Sequence, residues 1–148
     1  MNSARENISG EEMFFLHLSS VWTVTQKMTE DALRTIGITV AEYTLLRIVE
    51  NTPGITAGEA RARLYSSAPS VAQLVAQCER KQFLTRNRDT HDARRLPLRL
   101  TATGKRSLQK AKRAVAQLLS RLQLPQGSLD SLTSNLSTFL SSLPPYGA

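Results

Sequence analysis

The amino-acid sequence predicts a mainly α fold that carries one small β-ribbon. Three observations predict it. Apolar residues recur at helical spacing over most of the chain, helix-start signals stand in front of those runs, and between Leu84 and Leu100 the period changes to alternation around a polar tip.

From about Glu11 to Thr35, Phe14, Leu18, Val21, Met28 and Ala32 form an apolar stripe, which Phe15, Leu16, Trp22 and Val24 widen beyond one seam. A helix this apolar needs more than one partner. Gly37 stops it. Thr39 with Glu42 is a capping box, in which each side chain satisfies a backbone donor of the other, and it opens a helix bearing Leu45, Leu46, Ile48 and Val49 that ends at Pro53-Gly54. Thr56 with Glu59 repeats the device for a short helix to about Leu64. Ser66 and Ser67 then make a polar corner. Ser67 is a natural N-cap, and Pro69 is tolerated in the first turn because its missing N–H has no intrahelical partner there. In the helix that follows, Val71, Leu74, Val75 and Cys78 face inward and leave Ser70, Ala72, Gln73, Ala76, Gln77 and Arg80 outside.

After Phe83 the chain reads as a hairpin: Leu84 to Arg88, a tip from Asp89 to Ala93, and a return strand from Arg94 to Leu100. Leu96, Leu98 and Leu100 share one face, and Pro97, which cannot donate to a ladder, marks an edge strand. Thr101 caps a long basic helix with Leu108, Ala111, Val115, Leu118, Leu119 and Leu122 inward. Pro125-Gln126-Gly127 breaks it, Ser128 caps a last helix with Leu129, Leu132, Leu136, Phe139, Leu140 and Leu143 on one side, and Pro144-Pro145 closes the chain. Two helices joined by a short corner and followed by a basic ribbon form a winged helix-turn-helix, whose second helix enters the DNA major groove, where Gln can read a base edge. The organisation is an N-terminal dimerisation helix (1–38), a winged helix-turn-helix domain (39–100), and a linker helix with a C-terminal dimerisation helix (101–148). Paired terminal helices in a two-fold dimer would bury the outer stripes and set two reading helices about 34 Å apart for a near-palindromic site.

The net charge of +7 is concentrated: Arg80 to Arg113 holds twelve of the 19 Lys and Arg residues and only two acids, Asp89 and Asp92. The rest of the chain is net acidic. A local basic patch is what a polyanion requires, phosphates supplying affinity and a salt-dependent on-rate; a solvated helix face is the plainer reading of such a cluster. The candidate DNA contacts are Ser67, Ser70, Gln73 and Gln77 on the helix and Arg86, Arg88, Arg94 and Arg95 on the ribbon. Aromatics make up only 5% of the chain, so the core is aliphatic. One cysteine excludes an intrachain disulfide and fits a cytoplasmic location, and no apolar run approaches the ~20 residues that span a bilayer. No Ser/His/Asp set, phosphate loop, paired carboxylates on an apolar stripe or zinc spacing is present, so neither catalysis nor a metal or other cofactor is expected; His91 at the tip reads as solvated.

The order of elements, with Asp92-x-Arg94-Arg95 in the ribbon and Leu100-Thr101-Ala102-Thr103-Gly104 after it, resembles the MarR family of transcriptional regulators over about Thr39 to Ala111. The resemblance implies an obligate homodimer that binds promoters and is released by a small ligand, often an aromatic or phenolic acid. It also implies that Arg94 enters the minor groove, where the narrow groove's negative potential favours it, and that Asp92 orients Arg94 through an ion pair. Two departures stand out. Gln73 and Gln77 replace arginines common in the family, which points to a different base preference. Gln82 stands where the family has Gly, so it must adopt a left-handed conformation or extend the helix.

Met13, His17, Trp22 and Tyr43 are the candidates for lining an effector cavity, although packing in a dimer explains the same residues. Cys78 on an inward stripe reads as core. A thiol-sensing regulator would need it exposed and oxidisable, and the family's thiol sensors carry their cysteine near the first helix. A third reading is a nucleic-acid or protein-binding module without sequence preference.

Overall fold

The computed structural model describes residues 8–87, 95–122 and 127–144. Among the described residues eight elements follow in order: α1 (Gly10–Arg34), α2 (Val40–Asn51), α3 (Ala57–Leu64), α4 (Ala68–Arg80), β1 (Leu84–Arg86), β2 (Leu98–Leu100), α5 (Ala102–Arg121) and α6 (Leu129–Ser142). Arg88, His91, Asp92 and Arg94 of the expected hairpin, the break at Pro125-Gln126, and Pro145 lie outside the described residues.

The helix starts follow from local chemistry. Thr39 and Thr56 each accept the N–H of the Glu three residues on, and each Glu carboxylate accepts the N–H of its Thr. Ser67 and Thr101 accept from Ser70 and Gly104 in the same way. Ser9 does so for α1, one turn before the first apolar residue of its stripe. Ser128 does not cap α6: its backbone is already helical (φ −93°, ψ −16°), whereas an N-cap side chain reaches back only from an extended residue.

The core is aliphatic and lies around α2. Leu45 and Leu46 are fully buried with Leu33 of α1, Val71, Val75 and Cys78 of α4, Leu84 and Leu98 of the ribbon, and Leu108 and Ala111 of α5. The ribbon is a short antiparallel pair in which Leu84 faces Leu100 and Arg86 faces Leu98. Pro97 is buried, and β2 is not an open edge at this point. Thr56 bridges to Pro97, the Leu98 N–H donates to the Ile55 carbonyl at 2.8 Å, and the Pro97 carbonyl accepts from Asn87 on the other side. Proline is accommodated because only its carbonyl is asked to bond. Leu96 falls outside β2 and is exposed, so only Leu98 and Leu100 of the expected apolar face pack inward.

The turn after α4 is tied to the start of α5. Gln82 takes the left-handed conformation (φ 57°), the first of the two options open to it. Its carbonyl accepts from the Thr101 hydroxyl at 2.5 Å, and the Phe83 carbonyl accepts from the Thr101 N–H at 3.1 Å. Gly104 makes this seat possible, since a Cβ there would lie 2.0 Å from the Phe83 oxygen. The Leu-Thr-x-x-Gly run is therefore a cap and a backbone socket together.

The terminal helices keep their apolar faces in solvent. Phe15, Val21 and Trp22 of α1 are at least 60% exposed, α6 buries no residue, and Leu119 of α5, expected inward, is half exposed. Phe14 and Phe139 meet edge to face at 5.6 Å, which brings α6 against the N-terminal part of α1. No described helix is long and apolar enough to cross a membrane.

Gly104→Ala is expected to destabilise the protein by about 1–3 kcal/mol or more, because the new methyl must displace backbone. Gln82→Gly is expected to stabilise it by about 1 kcal/mol through release of the left-handed penalty. Urea unfolding midpoints check both. If Gly104→Ala unfolds like the wild type, the socket is wrongly assigned.

Candidate nucleic-acid interface

The surface of interest begins at the corner between α3 and α4. Tyr65 ends α3 in the left-handed conformation (φ 47°, ψ 47°), its N–H bonded to the Arg61 carbonyl. This lets the chain turn within a few residues so that Ser67 can cap α4. The Ser67 hydroxyl is also 2.8 Å from that of Ser70, so Ser67 is occupied in holding the helix start. Val71, Val75 and Cys78 fix one face of α4 in the core. Ser70, Ala72 and Gln73 are consequently held in solvent on the other, and Gln77 is half-buried behind them. The exposed face is small, polar and uncharged at its centre, with Arg80 exposed at its C-terminal end.

Two of the four ribbon arginines are described, and both are tethered. Arg86 forms a two-pronged pair with Glu79 of α4, its Nε at 2.9 Å from one carboxylate oxygen and an Nη at 2.7 Å from the other. A planar fork matched to a carboxylate fixes direction as well as distance, so β1 is registered against α4. Arg95 reaches Glu59 of α3 at 3.1 Å and the Gly54 carbonyl at 3.4 Å. Glu59 is itself held below the usual carboxylate range, first by the Thr56 N–H and then by the Thr56 hydroxyl. The root of the ribbon is thus pinned to α4 on one strand and to α3 next to the other. Beyond this root, Arg99, Lys105, Arg106, Lys110 and Arg113 are exposed and continue the basic surface along β2 and α5.

Some of these features have no local signature. Glu79 is seven residues from Arg86 and Glu59 is 36 from Arg95, so no helix spacing announces either pair. The left-handed Tyr65 could be suspected only from the shortness of the corner.

The proposed effector residues are spread along the chain. Met13, His17 and Trp22 are exposed on the N-terminal half of α1, while Tyr43 packs half-buried against the core. At 1.5 Å of rise per residue, Met13 is roughly 30 Å along the helix from Leu33, the α1 residue that reaches that core. Trp22 borders a shallow cleft with Gln26, Lys27 and Glu30. A separate cleft of about 490 Å³ opens between α1 and α5, lined by Met28, Ala32, Thr35, Ala114, Leu118 and Arg121 among others.

Cys78 is fully buried, and desolvation pushes its thiol up to about 12, with nearby Glu42 adding to the shift. Exposure, which a thiol sensor requires, is missing. Among the described residues, no group of three His, Cys, Asp or Glu side chains is arranged to hold a metal ion.

The comparisons with known proteins agree with this geometry. The MarR family model matches residues 36–95. The HTH-type transcriptional regulator SarZ of Staphylococcus epidermidis is 24% identical over 131 residues, covering 88% of this chain and 87% of SarZ. The HTH-type transcriptional repressor Rv2887 of Mycobacterium tuberculosis is 26% identical over 113 residues, covering 74% and 81%. Among solved structures, CouR from Rhodococcus jostii RHA1 bound to p-coumaroyl-CoA superposes with a TM-score of 0.82 at 21% identity, over 94% of this chain and 98% of CouR. Staphylococcus aureus MepR in complex with DNA does so with a TM-score of 0.75 at 21% identity, over 94% and 99%.

Because the thiolate is scarce at neutral pH and the sulfur is covered, Cys78 in the native protein is expected to resist a thiol-specific reagent at pH 8 and to react fully once unfolded in urea. Rapid labelling of the folded protein would overturn this placement.

Proposed function

We propose that the chain, which is similar in sequence and fold to winged helix-turn-helix regulators of the MarR family, acts as a homodimeric, sequence-specific repressor of near-palindromic promoter sites, released by a small aromatic ligand. The observation that carries this reading is the exposed Ser70 and Gln73 face of α4, anchored by three buried side chains and flanked by a tethered basic ribbon. Short polar side chains on a rigid helix can read base edges, whereas the surrounding arginines and lysines supply backbone affinity. In this reading Arg94, oriented by Asp92, enters the minor groove, and Arg88 is a further contact to DNA. Arg86 and Arg95 set the direction of the ribbon or exchange their carboxylates for phosphates on binding.

Dimerisation is supported by the apolar faces of α1 and α6, which one chain leaves uncovered. A cavity lined by Met13, His17, Trp22 and Tyr43 would need both chains, given their separation within one. Repression is supported by the similarity to the repressor Rv2887, and release by an aromatic ligand by the ligand complexes of CouR and of Staphylococcus aureus MarR with salicylate. The cleft between α1 and α5 is within the ~300–1,000 Å³ range of small-molecule sites.

A titration of palindromic promoter fragments against scrambled duplexes at two salt concentrations tests the reading. The wild type is expected to prefer the palindrome. Arg94→Ala is expected to lose about 1–3 kcal/mol of specific affinity, and Gln73→Ala or Gln77→Ala to change base preference more than salt slope. Equal binding to both duplexes in physiological salt would instead indicate a module without sequence preference.

A further inference from the structure

The only buried charged side chain among the described residues, Glu42, is used by neither the core nor the base-reading face. It sits in the first turn of α2, 1% exposed. Its partner is Lys81, the residue that ends the reading helix α4. The Lys81 ammonium lies 2.8 Å from each Glu42 oxygen and donates to the Gly37 carbonyl at 3.0 Å. Its third neighbour is the Phe83 ring, 5.9 Å from ammonium to centroid. Gly37 has φ 74°, and it closes the turn between α1 and α2. One ammonium therefore joins the end of α4 to the corner from which α1 departs, across 39 and 44 residues of chain.

We propose that Lys81 is a positioning residue for operator recognition, fixing the angle of the reading helix to α1 through Glu42 and the Gly37 carbonyl. The proposal rests on the DNA-binding reading above and deepens it. Three features favour this role over a phosphate contact. The ammonium is already satisfied by two protein acceptors. Glu42 is too deep to rearrange cheaply once its cation leaves, because the Thr39 N–H alone is no substitute for the counter-charge of a buried carboxylate. The two anchors lie on the α1–α2 corner, so their loss changes an angle between elements and not the charge offered to DNA. In a dimer paired through α1, that angle sets the distance between the two reading helices, which is a property of half-site spacing.

The test uses full-length Lys81→Met, Lys81→Arg, Glu42→Gln and the Lys81→Met/Glu42→Gln double variant. Glu42→Gln keeps the capping box, since the Gln oxygen can still accept the Thr39 N–H, while it removes the charge and turns the second acceptor toward Lys81 into an amide donor. Each is titrated against the selected operator and against versions with one base pair added to or removed from the centre. Lys81→Met and Glu42→Gln are expected to weaken binding to the wild-type spacing by about tenfold, the scale of coupling between sites. They should also flatten the preference among spacings and leave the salt slope unchanged. The double variant should be no worse than the poorer single, and Lys81→Arg should recover most of the spacing preference. A salt slope lower by about one in Lys81→Met, with Glu42→Gln binding like wild type, would make Lys81 a phosphate contact and overturn the proposal. So would an equal loss at every spacing, the mark of lowered stability alone. Should Lys81→Met fail to fold, Glu42→Gln and Lys81→Arg still decide. A wild type that prefers no duplex at all would refute the DNA-binding reading itself, an outcome separate from these.

Discussion

The Phe83 carbonyl marks the point on which the architecture turns. Directly before it, Gln82 takes a left-handed turn out of α4, and directly after it β1 begins; the carbonyl itself rests on the bare backbone of Gly104 at the start of α5. The helix α4, the ribbon and α5 are thereby referred to one contact. Backbone against backbone permits little adjustment, because neither partner has a rotamer to change. The three elements can shift against one another only if this seat is lost.

Around that seat, polar side chains hold the angles that apolar packing leaves free. Val71, Val75 and Cys78 decide which face of α4 is buried, but a smooth aliphatic face tolerates some rotation. Glu79 with Arg86, Glu59 with Arg95, and Glu42 with Lys81 supply direction. The first two pairs are largely exposed, and exposed ion pairs add little to stability. Their value lies in aiming the ribbon. Glu42 differs in being sealed from water, so its pairing is the one that cannot be removed without leaving a stranded charge.

Much of this was legible because it is local. The capping boxes at Thr39 and Thr56, the cap at Ser67 and the break at Gly37 are decided within four residues, and each stands where the sequence places it. The inward stripe of α4 and the outward Ser70 and Gln73 follow from helical spacing alone. Ser128 shows the limit of such signals, since the same residue type fails to cap once its own backbone is helical. Pro97 shows another: its edge assignment ignored Ile55 and Thr56, more than forty residues earlier, which cover that side of β2. The clasp of Lys81 and the tethers of Arg86 and Arg95 join distant segments, and nothing in the sequence spacing announces them. The apolar faces of α1 and α6 were legible as surplus, and the fold of one chain leaves them so.

The proposed function requires two reading helices held at a fixed separation by paired terminal helices. Its most direct measurement is the dipolar coupling between spin labels on an Ala72→Cys variant, an exposed position on α4, with buried Cys78 expected to stay unlabelled. A narrow distance distribution centred near about 34 Å, one turn of the double helix, is the expected result. An absence of coupling, or a broad spread of distances in the DNA complex, would contradict it.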